Sequence, residues 1–335
     1  MADKAHSKTD LKLEEMEKHL SAIYSVSYKK IQSKMLEFAK TIEKKSSELL
    51  KAISQAETEE EKNKAKKAYL QYFKKEVIKS KVFKDLSSEI ALDLFDTNTK
   101  ATNYINSQTP EIYALNYNWI NKEMEKDIPN FVSQQITPEE ADKYGDLTMQ
   151  TVSKAKDTKW NESNIKKSVI VGASLLLGAK AIMKRSAKLT VEKNRNSASM
   201  HNSGMGTDAE NKARLDGMYW AEYLGNKMHK AWIATNDNRT RDSHALLDGV
   251  EIPLDKIFDN GCSRPRDPNG EPAEICNCRC SLKYVDVGGE RGQTRSARQG
   301  EVTGSYKKSS SFKGTKSVGI PNMSYKEFMK WRQTQ

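Results

Sequence analysis

Apolar residues fall at Ile31, Met35, Phe38, Ile42, Leu49 and Ile53, mostly at steps of three and four. That spacing predicts an amphipathic helix over about residues 11–53. No proline or glycine interrupts the first hundred residues. A break in the stretch "SQAETEEEKNKAKKAYLQYFKKEV" starts a second helix, with its acidic residues early and its lysines late, as the helix dipole prefers. The stripe keeps no strict heptad, which favours antiparallel helices over a coiled coil. Residues 111–127 read as a further helix, ended by Pro129. Thr137, Pro138 and Glu140 spell a capping box with proline at the first helical position.

The most apolar run is "VIVGASLLLGAKAIM", residues 169–183. It is flanked by Lys166, Lys167, Lys184 and Arg185. It is too short and too punctuated to cross a membrane, so a buried helix over about 165–190 is expected, with no stable membrane insertion. Residues 196–208, rich in Ser, Asn, Gly and Met, read as a loop or linker, followed by a helix over about 209–224.

The pattern changes at Lys230. "KAWIAT" reads as a short strand, "DGVEI" as an Asp-Gly turn and a second strand, and "CRCSLKYVDV" as a third. Beyond Gly288 the chain is rich in Gly, Ser, Lys and Arg, the composition of a flexible tail. It ends in "NMSYKEFMKWRQ", where Ser324 caps a short helix bearing Phe328, Met329 and Trp331, an apolar face that needs a surface to dock on. The fold class expected is α+β. A long, mainly helical N-terminal region (1–204) precedes a small mixed motif domain with short strands (205–288). A flexible basic tail with a short terminal helix (289–335) completes the chain.

Charge sharpens the picture. The chain has 335 residues, with 56 Lys and Arg against 45 Asp and Glu, a net charge of +11. The excess is local. Residues 151–200 carry 11 basic and 3 acidic side chains, and residues 281–335 carry 11 and 4. Two basic segments point to a polyanion, nucleic acid first, with a solvated basic face as the alternative. The nucleic-acid-binding candidates are Lys154, Lys156, Lys166, Lys167, Lys184, Arg185 and Lys188. Only 36% of residues are hydrophobic and mean hydropathy is −0.79, which argues against one large core. The start "MADKAHSKTD" has no secretory apolar stretch, so reduced thiols are expected.

All four cysteines lie between residues 262 and 280, with His244 upstream. Clustered reduced thiols beside a histidine fit zinc. In an extended strand Cys276 and Cys280 stand roughly 13 Å apart, too far for one ion. The candidate ligand set is therefore His244, Cys262, Cys278 and Cys280, with a kink at 277–279 and Cys276 spare. The alternatives are buried structural thiols, a disulfide formed in an extracellular particle, or a cysteine nucleophile with His244 as base. The nearby Asp237, Asp242 and Asp248 more simply serve as partners of Arg239 and Arg241.

The ordered run Trp232, Asp237, Arg239, Thr240, Arg241, His244, Asp248, Gly249, Phe258, Pro265, Pro268, Cys278, Arg279 and Cys280 resembles the phage head morphogenesis, or minor head protein, family, which includes the phage Mu F-like proteins. The ending "MSYKEFMKW" is similar to one seen in such proteins, with Phe328 where a tryptophan often stands. The resemblance covers about residues 205–335. It implies a minor capsid protein without enzymatic activity and with no cofactor beyond the candidate zinc. It implies portal protein and viral double-stranded DNA as partners, with scaffold or major capsid protein as further ones. The place implied is the virion interior, and the host cytoplasm during assembly, with ejection alongside the genome. The competing readings are a toxin-like nuclease using the His/Cys cluster and a zinc-stabilised nucleic-acid-binding protein.

Overall fold

The computed structural model describes residues 4–129, 131–147, 157–235, 237–288, 294–296, 319–321 and 323–334. Lys154 and Lys156 lie outside them, as does most of the stretch expected to form a flexible tail. The chain divides into two compact units. One comprises residues 1–15, 105–149 and 202–335; the other comprises 16–104 and 150–201. Three long helices, α1 (Lys4–Gln55), α3 (Lys81–Asp127) and α6 (Ala179–Tyr223), supply residues to both.

The unit of residues 16–104 and 150–201 is helical. α2 (Glu59–Gln71) opens on a capping box, in which Thr58 and Glu61 exchange hydrogen bonds with each other's backbone N–H groups. A π-helical turn, Tyr72–Val77, leads towards α3. Within this unit α1 and α3 run antiparallel, as the lack of a heptad predicts. As residue numbers climb along α1, their partners on α3 fall: Tyr24 binds Asn98, Lys30 binds Asp93, and Phe38 packs on Phe83. The centre is partly polar. Tyr24 donates to Asn98, Asn98 to Asn194, and Asn194 to Asn161, all buried and each within 2.9 Å. Each side chain is bonded to the next, and the network ends at Asn161, whose buried Nδ2 has no hydrogen-bond partner.

The apolar run 169–183 does not form one helix. It spans the end of α5 (Thr158–Ser174), a turn, and the start of α6. Leu176 takes φ +55°, Leu177 N–H bonds the Gly172 carbonyl, and Leu176 N–H bonds the Ala173 carbonyl. This is a Schellman C-cap built with leucine where glycine is usual. Periodicity cannot register such a stop, because the apolar residues continue through it.

A second expectation is corrected further on. Residues 196–208 are helical, inside the 45 residues of α6. Their glycines serve close packing, not a break. A Cβ on Gly204 would stand 1.4 Å from Arg266 Nη2, and one on Gly206 would stand 2.5 Å from Leu13 Cδ2. The helix expected over 111–127 likewise extends back to Lys81, straight through Pro110. Pro110 is buried, and burial of the helix around it outweighs the lost backbone bond.

The other unit holds the mixed structure. β1 (Met228–Ile233) lies between β2 (Glu251–Pro253) and β3 (Ser281–Asp286) in an antiparallel sheet ordered β2-β1-β3. Trp232 sits opposite Leu282, and Lys230 opposite Tyr284 and Ile252. Two short helices, α7 (Asp242–Leu246) and α8 (Pro272–Ile275), lie in the connections. α4 (Pro138–Tyr144) starts at Thr137 with the predicted capping box and proline. β4 (Thr294–Ser296) and β5 (Gly319–Pro321) pair antiparallel. The final helix, α9 (Tyr325–Arg332), is capped by Ser324 and finds the docking surface its apolar face requires. Phe328 packs edge-on to Trp220, Tyr325 meets Tyr117, and Trp331 meets Tyr223. Among the described residues no helix is long and apolar enough to cross a membrane.

Candidate functional site

The sheet's first strand brings Trp232 into the centre of the motif. Its ring is fully buried between His244 and Phe258, edge-to-face with both, at centroid distances of 5.1 Å. Asp248 and Gly249 then turn the chain back. Asp248 accepts from Ala234 N–H at 2.8 Å, and Gly249, at φ +77°, donates to the Trp232 carbonyl at 2.8 Å. The Asp-Gly pair thus closes β1 onto β2, and only the second position demands the left-handed backbone that glycine supplies.

Asp237 does more than accompany its neighbour Arg239, which reaches it only at 3.9 Å. Its carboxylate takes two parallel 2.7 Å hydrogen bonds from Arg279, the arginine between the last two cysteines. That fork, with backbone donation from Arg239, holds the Asp237 carboxyl well below the usual carboxylate range. Arg241 donates to the Cys276 carbonyl. The motif's arginines therefore fasten the cysteine segment to the start of α7.

The cysteine segment bends as the spacing argument requires. Asn277 takes φ +56°, which breaks the strand before Cys278. Cys276 is left exposed, and Cys278 and Cys280 turn inward. His244 Nδ1 lies 3.4 Å from Cys280 Sγ and 3.7 Å from Cys278 Sγ. All three residues are buried, and a ligand atom from each lies within 4.8 Å of the others. Cys262 is buried too but stands outside this group: its thiol points to the Asn260 carbonyl at 3.9 Å and packs where Gly270 lacks a side chain. Burial pushes the Cys262 thiol up to about 11. Cys280 is pulled down to about 4, first by the hydrogen bond from Cys278 and then by His244, against the cost of burial. Cys278, the donor, moves the opposite way.

The sequence reading did not find Glu274. Its Oε2 stands 3.1 Å from His244 Nε2, on the side of the ring away from the sulfurs, and also accepts from Ser243 at 3.0 Å and Asn260 at 3.4 Å. The Nε2 contact is close but not aligned as a hydrogen bond, so His244 Nε2 counts as unsatisfied. Asn211 was also missed: from α6 it donates to the Cys280 carbonyl and accepts from Leu282 N–H. Near it, Glu210 and Arg214 form a fully buried ion pair at 2.9 Å, with Arg214 donating to the Leu282 carbonyl. One carboxylate thirty residues from its histidine, and one amide on a distant helix, leave no local pattern to read.

The described basic candidates fall in the helical unit. Lys184 and Lys188 line one groove with Arg195 of α6 and with Tyr24 and Tyr28 of α1. Lys166, Lys167 and Arg185 are not among its lining residues, and Lys166 pairs with Glu162 at 3.6 Å.

The family model described as phage Mu protein F like protein matches residues 162–283. Through this region the chain is similar to the phage Mu protein F like family. A stretch of 74 residues is 39% identical to minor head protein GP7 of Bacillus phage SPP1, covering 21% of this chain and 24% of that protein. Another of 69 residues is 38% identical to NAD(+)–arginine ADP-ribosyltransferase EFV of Enterococcus faecalis, covering 20% of this chain and 14% of that protein. The chain thus spans a quarter or less of the length of these relatives. No solved structure matches it. The Mu F-like region takes in α5, α6, the Trp232 cluster and the cysteine segment.

Proposed function

We propose that the protein is a minor head component of a tailed phage, acting in head morphogenesis without enzymatic activity. The observation that carries this reading is the Mu F-like match over residues 162–283, supported by the similarity to the SPP1 minor head protein. The buried state of His244, Cys278 and Cys280, each at most 3% exposed, fits a fastener better than a site that must admit a substrate. The similarity to an ADP-ribosyltransferase covers 20% of this chain and 14% of that protein, too small a share to carry a transferase reading.

The finer roles belong to the same proposal. The protein associates with the portal in the host cytoplasm during assembly, faces the virion interior and leaves with the genome; scaffold and major capsid protein are the further contacts. It meets packaged double-stranded DNA through phosphates, without reading sequence, by way of Lys184, Lys188 and Arg195 in their groove. Co-sedimentation of the purified chain with procapsids made with and without portal tests the association. Binding that requires the portal is expected. Equal binding to both particles, or to neither, refutes the portal role.

A further inference from the structure

We propose that His244, Cys278 and Cys280 hold a zinc ion, bound through the imidazole Nδ1 and the two sulfurs. The distances carry the argument. In a tetrahedral zinc site, Zn–N near 2.05 Å and Zn–S near 2.3 Å set a ligating nitrogen and sulfur roughly 3.6 Å apart. His244 Nδ1 stands 3.4 and 3.7 Å from the two sulfurs, bracketing that value. A hydrogen-bonded trio explains the arrangement less well. One ring nitrogen offers either a proton or a lone pair and so satisfies one sulfur, whereas both sulfurs face it here.

The surroundings match a metal site's outer contacts. Glu274 faces the opposite ring nitrogen at 3.1 Å, so the imidazole sits between a carboxylate and the two thiols. A ligating histidine is commonly oriented in this way by a carboxylate. Glu274 is itself held by Ser243 and Asn260. The Cys280 carbonyl is fixed by Asn211 and the Cys276 carbonyl by Arg241. Two thiolates and an imidazole favour zinc over the hard cations. No fourth His, Cys, Asp or Glu among the described residues joins the three within the same distance, and the proposal calls on neither Cys262 nor the exposed Cys276. The ion would tie α7 to the entry of β3 and so fix the floor under Trp232.

The test uses the full chain purified in reductant without chelator. Elemental analysis should find about one zinc per chain. After removal of the zinc, cobalt(II) should give thiolate-to-cobalt charge-transfer absorption and the visible bands of a tetrahedral ion. Cys278→Ser and Cys280→Ser should each lose the charge-transfer band, and Cys276→Ser should keep it. Glu274→Gln should keep the band and weaken affinity on the order of 10- to 100-fold. If the serine variants fail to fold, the wild-type cobalt spectrum and the Glu274→Gln titration still decide the matter. Wild-type protein with neither zinc nor a cobalt charge-transfer band overturns the proposal. So does undiminished cobalt affinity in Glu274→Gln together with metal retained in both serine variants.

Discussion

Lys230 has its whole side chain inside the protein, its Nζ donating to the Leu254 carbonyl at 2.9 Å and standing 5.6 Å from the Phe258 ring centroid. Burial lowers its pKa from 10.5 to about 8, with the charge of Asp267 pulling the other way. Between those two values the unfolded chain holds the proton and the folded chain does not, so stability rises with pH across that window and is flat below it. Replacement by methionine should remove the rise, read as the urea midpoint followed from pH 8 to pH 10.5. A variant whose midpoint climbs like the wild type's contradicts this account of Lys230. Trp232 nearby is fully buried between two rings, and Trp232→Ala should cost about 3–5 kcal/mol in chemical denaturation. A loss under about 1 kcal/mol would mean that the ring is not part of the core. His244, Cys278 and Cys280 were legible because C-x-C spacing and a lone upstream histidine are local signals. Glu274 and the Asp237–Arg279 fork were not, because nothing in the sequence ties a carboxylate or an arginine to a partner thirty or forty residues away.

Among the elements, α9 carries the clearest prediction. Its apolar face was readable from Phe328, Met329 and Trp331, and the Ser324 capping box from the sequence alone. The surface it would choose was not. α9 is further tied by Arg332, stacked 3.5 Å over Tyr219 and 3.4 Å from the buried Asp216. Burial raises the Asp216 carboxyl, but Lys212 and Arg332 outweigh it, and the group titrates below its ordinary 3.8. Its contribution is therefore complete above pH 3.8 and is lost as pH falls through the lower folded value. Phe328→Ala should cost about 3–5 kcal/mol and Ser324→Ala about 0.5–2 kcal/mol. Equal, negligible losses in thermal melts would mean that α9 does not dock in solution. The elements misread share one cause: packing overrode composition. Glycines 204 and 206 stand in α6 because side chains approach there, and Leu176 takes the left-handed cap because the apolar run must bend.

For the whole molecule, the α+β class was legible, since helical periodicity and the later alternating strands differ in period. The interleaving of the two units was not, because residues 1–15 and 105–149 carry no mark that they pack with residues 202–335. The basic segment was visible as composition, and only the fold selects Lys184, Lys188 and Arg195 as one surface. Reversing all three charges should weaken DNA binding for every sequence. It should also reduce the slope of log affinity against log salt by about 0.9 for each phosphate no longer neutralised. An unchanged slope would leave these residues as a solvated face. The central claim, that this chain is a minor head component, is tested most directly by quantitative mass spectrometry. The particles compared are empty procapsids, filled virions, and virions after triggered DNA release. The account predicts a low, fixed copy number in the first two and depletion in the third. Absence of the protein from all three particles would contradict it.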